Sequence, residues 1–231
     1  MNLSILIPVY NEEKTILEIL NRVNELKKIC QIEVIVINDG SNDNSKKIIE
    51  SNSQYYSKFI DLKKNSGKGK AVIEGIKNCT SDYILIQDAD LEYDPQDIAT
   101  FIEENSKNNF DIIMGSRFIG NNRTVLHFWH MLGNKFITFL FNFLNNTTFS
   151  DIYCCYCMLK KDLVNVQKLN CYGWGQQAEI LTYAVNNKTK IFEIGVNYHG
   201  RNYEEGKKIR YYDIFSVIYW IIFTRIKKIF Q

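Results

Sequence analysis

Apolar and polar residues alternate along the first half of the chain in blocks that predict strands and helices in turn. Between the apolar runs, apolar residues recur every three or four positions, which is typical of amphipathic helices. Ile16, Leu20 and Val23 follow this pattern in a helix predicted from Glu12 to Cys30. Such alternation predicts an α/β fold with a mostly parallel sheet flanked by helices. Five short apolar runs have the length of buried strands: LSILIPVY, IEVIVIND, KFIDLKK, DYILIQD and FDIIMGSR.

The second half has a less regular pattern. Residues 125–144 form a predicted helix with a narrow polar stripe on a wide apolar surface. The segment YCCYCMLKK predicts a strand, residues 176–185 a helix, and KIFEIGVNYH a further strand. Residues 211–231 predict a C-terminal amphipathic helix, either lying in the plane of a membrane surface or docked on the protein's own core. The stripe consists of His127, His130, Asn134, Thr138 and Asn142, of which the histidines are predicted surface or packing residues.

Composition and charge narrow the classes of partner. The 231 residues suit one α/β domain, and a net charge of +2 excludes a polycation that coats nucleic acid. From Arg201 onward the chain has seven basic and three acidic residues, a balance that favours contact with phosphates or an anionic membrane surface. The first residues lack the pattern of a signal peptide, and the six cysteines are expected to be reduced, so we expect a cytoplasmic protein.

Carboxylates follow the fourth apolar run at every second position, in YILIQDADLEYDP. If the backbone stays extended, Asp88, Asp90 and Glu92 point to the same side. Three like charges that lie close together need a cation among them, and oxygen ligands suit Mg²⁺ or Mn²⁺ bridging to a substrate phosphate. These three residues are therefore the predicted metal ligands, whereas Asp94 is predicted to cap the helix that begins near Pro95.

Two other predicted strands end in polar motifs. VINDGSND places Asp39 at the end of the second strand, and PVYNEE follows the first. NSGKGKA places glycines and Lys68 at the start of a helix, where free backbone N–H groups bind anions. Because parallel strands share one carboxyl edge, all these motifs are expected to meet in one ligand site.

The motifs PVYNEE, NDGSND, NSGKGKA, DADLEYDP and GSRF, in this order and spacing, resemble the family 2 glycosyltransferases with the GT-A fold. FWHMLGNKFITFLFN and RNYEEGKKI resemble the branch that acts on polyprenyl (dolichyl or undecaprenyl) phosphates. The resemblance implies a catalytic domain at 1–210, divided into a nucleotide-sugar-binding half at 1–120 and an acceptor half at 121–210. Residues 211–231 would form a C-terminal helix that associates with a membrane.

The resemblance also implies roles for single residues. Asp39 would recognise the base of a UDP- or GDP-sugar, and Asp88 would help to hold this donor. Asp90 and Glu92 would coordinate Mg²⁺ or Mn²⁺ on the diphosphate, and Arg117 would hold an acceptor phosphate. The remaining donor or phosphate contacts would come from Pro8, Tyr10, Glu12, Lys68, Arg201 and Lys207.

The acceptor half departs from the family pattern. Relatives usually carry a basic residue where this chain has Cys157 and an acid where it has Tyr153, and often an acid where it has Gln177. Asp151 and Glu179 keep the expected acids and are candidate acceptor-side residues, although a buried or capping acid is an equal alternative for both. The changes indicate either a different acceptor or a loss of activity.

The implied reaction is inverting transfer of a sugar from a nucleoside-diphosphate sugar to a polyprenyl phosphate. A divalent ion and basic side chains stabilise the charge on a departing diphosphate, and a phosphate acceptor is already an anion, so it needs little from a base. Two alternatives stay open: a hydroxyl acceptor with Asp151 as base, or a nucleotide-sugar-binding protein without catalysis. The helices at 125–144 and 211–230 would contact the membrane.

Overall fold

The protein is described by a computed structural model that covers residues 1–120, 128–201, 208, 210 and 212–230. Strands and helices alternate through the first half, as the pattern predicts. The strands are β1 Asn2–Val9, β2 Gln31–Asn38, β3 Lys58–Asp61, β4 Tyr83–Ile86, β5 Ile112–Ser116, β6 Cys157–Lys160 and β7 Ile191–Gly195. The helices are α1 Ile16–Glu25, α2 Ser45–Glu50, α3 Lys68–Asn78, α4 Ile98–Asn108, α5 Phe128–Asn145, α6 Gln176–Ala184 and α7 Asp213–Ile229.

The strands form one mixed sheet in the order β3-β2-β1-β4-β6-β5-β7. Every neighbouring pair is parallel except the two pairs that β6 makes with β4 and β5. Helices cover both faces of the sheet, which is why β1 and β4 are buried almost throughout. The chain leaves β1 towards β2 on one side and later returns to β4 on the other. A crevice therefore opens beyond the carboxyl ends of β1 and β4.

Two elements are shorter than their apolar patterns. Helix α1 begins at Ile16 rather than at residue 12, because Asn11 adopts a left-handed conformation (φ 51°) and the backbone of Glu12 is held by the side chain of Ser45. Strand β6 begins only at Cys157, so the preceding residues of YCCYC form a loop instead of a strand. The predicted capping role of Asp94 is confirmed, since its carboxylate accepts the backbone N–H of Gln96.

Helix α5 has two faces of opposite character. Its polar stripe faces inward, where Thr138 accepts the backbone N–H of Ile152 and the Asn142 amide donates to the carbonyl of Phe149. The opposite face exposes aromatic side chains. The predicted first turn at 125–127, with His127, lies outside the described residues.

Helix α7 packs against α5 and α6 and buries Val217, Ile221 and Thr224. One face of the C-terminal helix is thus docked on the protein's own core. Its other face exposes aromatic and aliphatic side chains. Lys228, near the end of this helix, donates to the backbone carbonyls of Thr182 and Val185.

A buried ion pair joins the end of β5 to the loop before β6. Arg117 Nε lies 2.7 Å from Asp151 Oδ2, and Nη2 lies 2.9 Å from Oδ1. The Asp151 side chain is fully buried and that of Arg117 is 8% exposed. Asp151 also accepts the backbone N–H of Arg117, so one carboxylate fixes both the side chain and the main chain at this strand end.

We expect Asp151→Ala to destabilise the protein by about 3–5 kcal/mol, because it leaves a buried guanidinium without its carboxylate partner. Urea denaturation followed by circular dichroism would measure this loss. The matched control is Glu18→Ala, which breaks the exposed Arg22–Glu18 pair and should cost less than about 1 kcal/mol. Equal free energies of unfolding for the two variants would contradict a stabilising role for the buried pair.

Candidate active site

A cavity of about 640 Å³ opens at the carboxyl ends of β1 and β4. It brings together most of the predicted site residues. Asp151 and Glu179 do not line it, and Lys207 lies outside the described residues. The predicted residues that line the cavity are Pro8, Tyr10, Glu12, Asp39, Lys68, Asp88, Asp90, Glu92, Arg117 and Arg201.

The carboxylates after β4 do not point to one side, so the expectation of an extended backbone is wrong. The chain turns at Leu91, which has a left-handed φ of 61°, and the Asp90 carboxylate accepts the backbone N–H of Glu92 at 3.1 Å. As a result, Asp88 faces one set of partners while Asp90 and Glu92 face another. The hydrogen bond between Asp90 and Glu92 holds this turn, so the side-to-side alternation of an extended strand does not continue past β4.

Asp88 is paired with Lys68, the first residue of α3, at 2.5 Å between Oδ1 and Nζ. The ammonium also lies 3.4 Å from the thiol sulfur of Cys155. Burial alone would raise the pKa of Asp88, but Lys68 holds it below its usual value. A lysine at a helix N-terminus beside a carboxylate leaves this corner of the cavity electrostatically balanced.

The loop before α3 is held by Asp39. Its two carboxylate oxygens accept the backbone N–H groups of Ser66 and Gly67, at 2.8 and 2.9 Å. Gly67 has φ 97°, and a side chain there would meet the backbone of Tyr172, so glycine is required at this position. Asp39 therefore shapes the loop that carries Lys68, and its predicted contact with the base stays a prediction.

Arg201 lies among three carboxylates, which we call the acidic cluster: Glu12, Asp90 and Glu92. Its Nη2 lies 2.7 Å from Asp90 Oδ2, and Nη1 lies 3.2 Å from Glu12 Oε2. Its backbone N–H donates to Glu92 Oε1 at 3.0 Å. A second cation, Lys208, contacts Glu12 at 2.5 Å.

Asp90 carries the least compensated charge of the cluster. Burial raises its pKa, and the nearby charges of Asp88 and Glu92 raise it further, to about 7, although Arg201 opposes them. Glu92 has additional support from the hydroxyl of Tyr198, which donates to Oε2 at 3.0 Å. The surrounding cations therefore compensate the negative charge of Asp90 only in part.

The acidic cluster suits a hard divalent ion, although no ready-made metal cage exists. Over the described ranges, no group of three or more His, Cys, Asp or Glu side chains is arranged to hold a metal. The guanidinium of Arg201 nevertheless shows that a cation fits between Glu12, Asp90 and Glu92. Carboxylate oxygens with space for water and phosphate oxygens are typical of Mg²⁺ or Mn²⁺ sites.

Of the residues predicted to act on the acceptor, Arg117 lines the cavity, whereas Asp151 does not line it and pairs with Arg117. Both oxygens of Asp151 accept hydrogen bonds from Arg117, so the geometry favours a positioning role for Asp151 over that of a base. Glu179 accepts the backbone N–H groups of Asn170 and Cys171, each at 2.9 Å. Its contacts are those of a buried capping acid.

Sequence reasoning missed several cavity residues. His130, predicted to lie on the surface or in packing contacts, lines the cavity from α5. The signal was present in the polar stripe of α5, but the sequence did not show that this stripe faces inward. Other lining residues without a sequence prediction are Tyr93, Trp129, Asn134, Ile137, Tyr153, Trp174, Tyr198, Lys208, Ile214 and Val217.

The chain matches a family of known proteins over more than half of its length. The sequence profile described as "Glycosyl transferase family 2" matches residues 4–166. A dolichol-phosphate mannosyltransferase of Pyrococcus furiosus is 29% identical over 228 residues, which cover 95% of this chain and 64% of that protein. An uncharacterised protein of Methanocaldococcus jannaschii is 28% identical over 218 residues, which cover 88% of this chain and 93% of that protein. The chain thus spans less than two thirds of the length of the Pyrococcus relative.

Solved structures show the same fold. The glucosyl-3-phosphoglycerate synthase of Mycobacterium tuberculosis, crystallised with Mn²⁺, uridine diphosphate and phosphoglyceric acid, superposes with a TM-score of 0.71 at 15% identity. The match covers 98% of this chain and 78% of that one. At this identity the likeness shows the GT-A fold alone. Since the family profile matches more than half of the chain, this protein belongs to glycosyl transferase family 2.

Proposed function

We propose that the protein transfers a sugar from a nucleoside-diphosphate sugar to a polyprenyl phosphate at a membrane surface, with the help of a divalent ion. The observation that carries this proposal is the continuity of the cavity. It runs from the acidic cluster and Lys68 to apolar residues of α5 and α7, among them Trp129, Ile137 and Val217. A charged donor and an acceptor with an isoprenoid tail would need these two linings side by side.

The donor would lie on the side of β1 and β4. Asp90 and Glu92 would hold Mg²⁺ or Mn²⁺, which when bound supplies positive charge to the departing diphosphate. Lys68 lies at the N-terminus of α3, where the helix favours anions, and is placed to support the phosphates. Asp39 would accept a hydrogen bond from the base.

An acceptor phosphate would be oriented by the cationic side chain of Arg117, which lines the cavity beneath the ring of Tyr198. An oxygen of the acceptor phosphate would attack the anomeric carbon of the donor sugar as the bond from that carbon to the diphosphate breaks, with inversion at the carbon. The nucleoside diphosphate leaves, and no proton has to be removed from the acceptor. This agrees with an Asp151 whose two oxygens are both engaged by Arg117.

Release of nucleoside diphosphate tests the proposal. We expect release from UDP-glucose, UDP-N-acetylglucosamine or GDP-mannose to require both Mn²⁺ or Mg²⁺ and undecaprenyl or dolichyl phosphate. Asp90→Ala should lower the rate by about 10²-fold or more, because it removes charge stabilisation of the leaving group. Asp94→Ala, a change of the same type at a capping residue outside the cavity, should stay within a few-fold of wild type.

If turnover requires a sugar or protein hydroxyl instead of the lipid phosphate, the proposed acceptor is wrong. Donor binding without turnover on any acceptor class would favour a non-catalytic nucleotide-sugar-binding protein. Near-normal activity of Asp90→Ala would remove Asp90 from the metal site.

The raised pKa of Asp90 predicts that the stability of the ligand-free fold and the affinity for Mn²⁺ both depend on pH. The folded protein holds this proton more tightly than the unfolded chain, so the group stabilises the ligand-free fold below about pH 4, and this contribution is lost as pH rises through about 7. Mn²⁺ competes with the same proton. We therefore expect its affinity, measured by titration calorimetry, to increase about tenfold from pH 6 to pH 8.

Asp90→Asn should abolish this pH dependence together with most Mn²⁺ binding, whereas Asp94→Asn should keep both. A wild-type affinity that is constant between pH 6 and pH 8 would contradict the competition between metal and proton.

The outer faces of α5 and α7 form an aromatic surface, which we define as Phe128–Asn145 and Asp213–Ile229 on their exposed sides. Phe139, Phe143 and Phe215 are 67%, 75% and 71% exposed. Soluble proteins rarely leave so much aromatic side-chain area in contact with water. Lys135 and Arg225 lie on the same helices and suit anionic lipid headgroups. Within the described part of the chain, no helix is long and apolar enough to cross a membrane.

We expect the protein to float with vesicles that contain phosphatidylglycerol. Replacing Phe139 and Phe143 together by Gln should reduce the bound fraction by about tenfold or more, because two aromatic side chains no longer enter the interface. Ile29→Gln, at another exposed apolar position (53%), is the control and should bind like wild type. A wild-type protein that ignores anionic vesicles would contradict the membrane proposal.

A further inference from the structure

We propose that Arg201 and Lys208 are internal counter-ions of the acidic cluster, so that the site accepts a divalent ion together with a diphosphate and takes up the free ion poorly. The inference rests on the divalent-ion site of the proposed function. It concerns which species binds, the free ion or its diphosphate complex.

Arg201 contacts all three members of the acidic cluster. Its guanidinium lies 2.7 Å from Asp90 and 3.2 Å from Glu12, and Nε lies 3.5 Å from Glu92. These side chains are between 8% and 17% exposed, and that of Arg201 is 17% exposed, so the contacts are shielded from water. Charge pairs in such places resist dissociation more than surface pairs do.

Lys208 adds a second cation from the same segment of the chain. Its ammonium lies 2.5 Å from Glu12 Oε1 and also donates to the backbone carbonyl of Tyr10. Lys68 does not compete for the cluster in this structure, because it is paired with Asp88. Two cations from the segment after β7 therefore neutralise carboxylates that follow β1 and β4.

The formal charges decide what can bind. With all three carboxylates ionised, the three negative charges and two cations leave one net negative charge in the cluster. A divalent ion alone would turn this into one net positive charge in a partly buried place, and Arg201 would lose Asp90 without gaining a partner. The diphosphate of a nucleotide sugar brings two negative charges, which restore the original balance, and free UDP or GDP brings up to one more. Either gives the guanidinium phosphate oxygens to bind.

Metal and nucleotide should consequently bind with positive coupling. Either ligand alone leaves an unbalanced charge, whereas the pair exchanges one complete set of ionic contacts for another. On this basis Arg201 has two roles: it opposes the free ion, and it supports the ion that arrives with a diphosphate.

The test measures binding of Mn²⁺ directly, through the paramagnetic resonance signal of the free ion, with and without UDP or GDP. We expect Arg201→Gln to bind Mn²⁺ alone about tenfold more tightly than wild type. The factor by which UDP or GDP strengthens Mn²⁺ binding should fall by about tenfold in the same variant. Lys208→Gln should change both quantities in the same direction but less, and thermal melts would show that both variants are folded.

Arg210→Gln is the matched control. Arg210 lines the same cavity and loses the same charge, and its guanidinium lies over the ring of Tyr212, 5.9 Å from the ring centroid. We expect its Mn²⁺ affinity to stay within about twofold of wild type.

The inference is overturned if Arg201→Gln binds free Mn²⁺ no more tightly than wild type, or if Arg210→Gln tightens it equally. If Mn²⁺ binds and depends on Asp90 but not on Arg201, the divalent-ion site stands and only the counter-ion role falls. If wild type binds no Mn²⁺ with or without nucleotide, both the site and the inference fall.

Discussion

The gathering of carboxylates at the ends of β1 and β4 is the constraint on which the rest of the site depends. A parallel sheet brings its strand ends to one edge, so Glu12 from one loop meets Asp90 and Glu92 from another. Like charges so close together raise the free energy of the fold unless cations offset them. The cations come from distant segments: Lys68 from the start of α3, and Arg201 from beyond β7. Through Arg201, ionic contacts join the segment after β7 to the loops after β1 and β4.

The ion pairs of the site differ in how much room they leave for a ligand. Arg117 and Asp151 satisfy each other in the interior, so their pair fixes the end of β5 and presents one cation to the cavity. Arg201 is shared among several carboxylates at unequal distances, and Asp90 remains raised in pKa despite it. The first arrangement is suited to stability, and the second is suited to exchange with an incoming ion and its diphosphate.

The side chain of Gln177 holds the loop before β6 in the interior. Gln177 donates its amide to the carbonyls of Ile152 and Cys154 and lies 3.9 Å from the sulfur of Met114. Met114 is in turn the strand partner of Cys157. Cys157 and Gln177, at which the family resemblance implies a base and an acid, are thus both neutral and lie around the side chain of Met114. An uncharged pair of side chains leaves no buried ion without a partner at this place.

The α/β alternation, the cap at Asp94 and most of the cavity residues near the ends of β1, β2 and β4 could be predicted from the sequence. Those cavity residues lie within a few positions of a strand end, and parallel strands bring these ends to one edge of the sheet. The antiparallel pairing of β6, the turn at Leu91 and the ion pair between Arg117 and Asp151 could be learned only from the three-dimensional contacts. The sequence also could not show that the polar stripe of α5, with His130, faces the cavity. These features depend on contacts between segments far apart in the chain, and local periodicity carries no information about which distant partner a side chain meets.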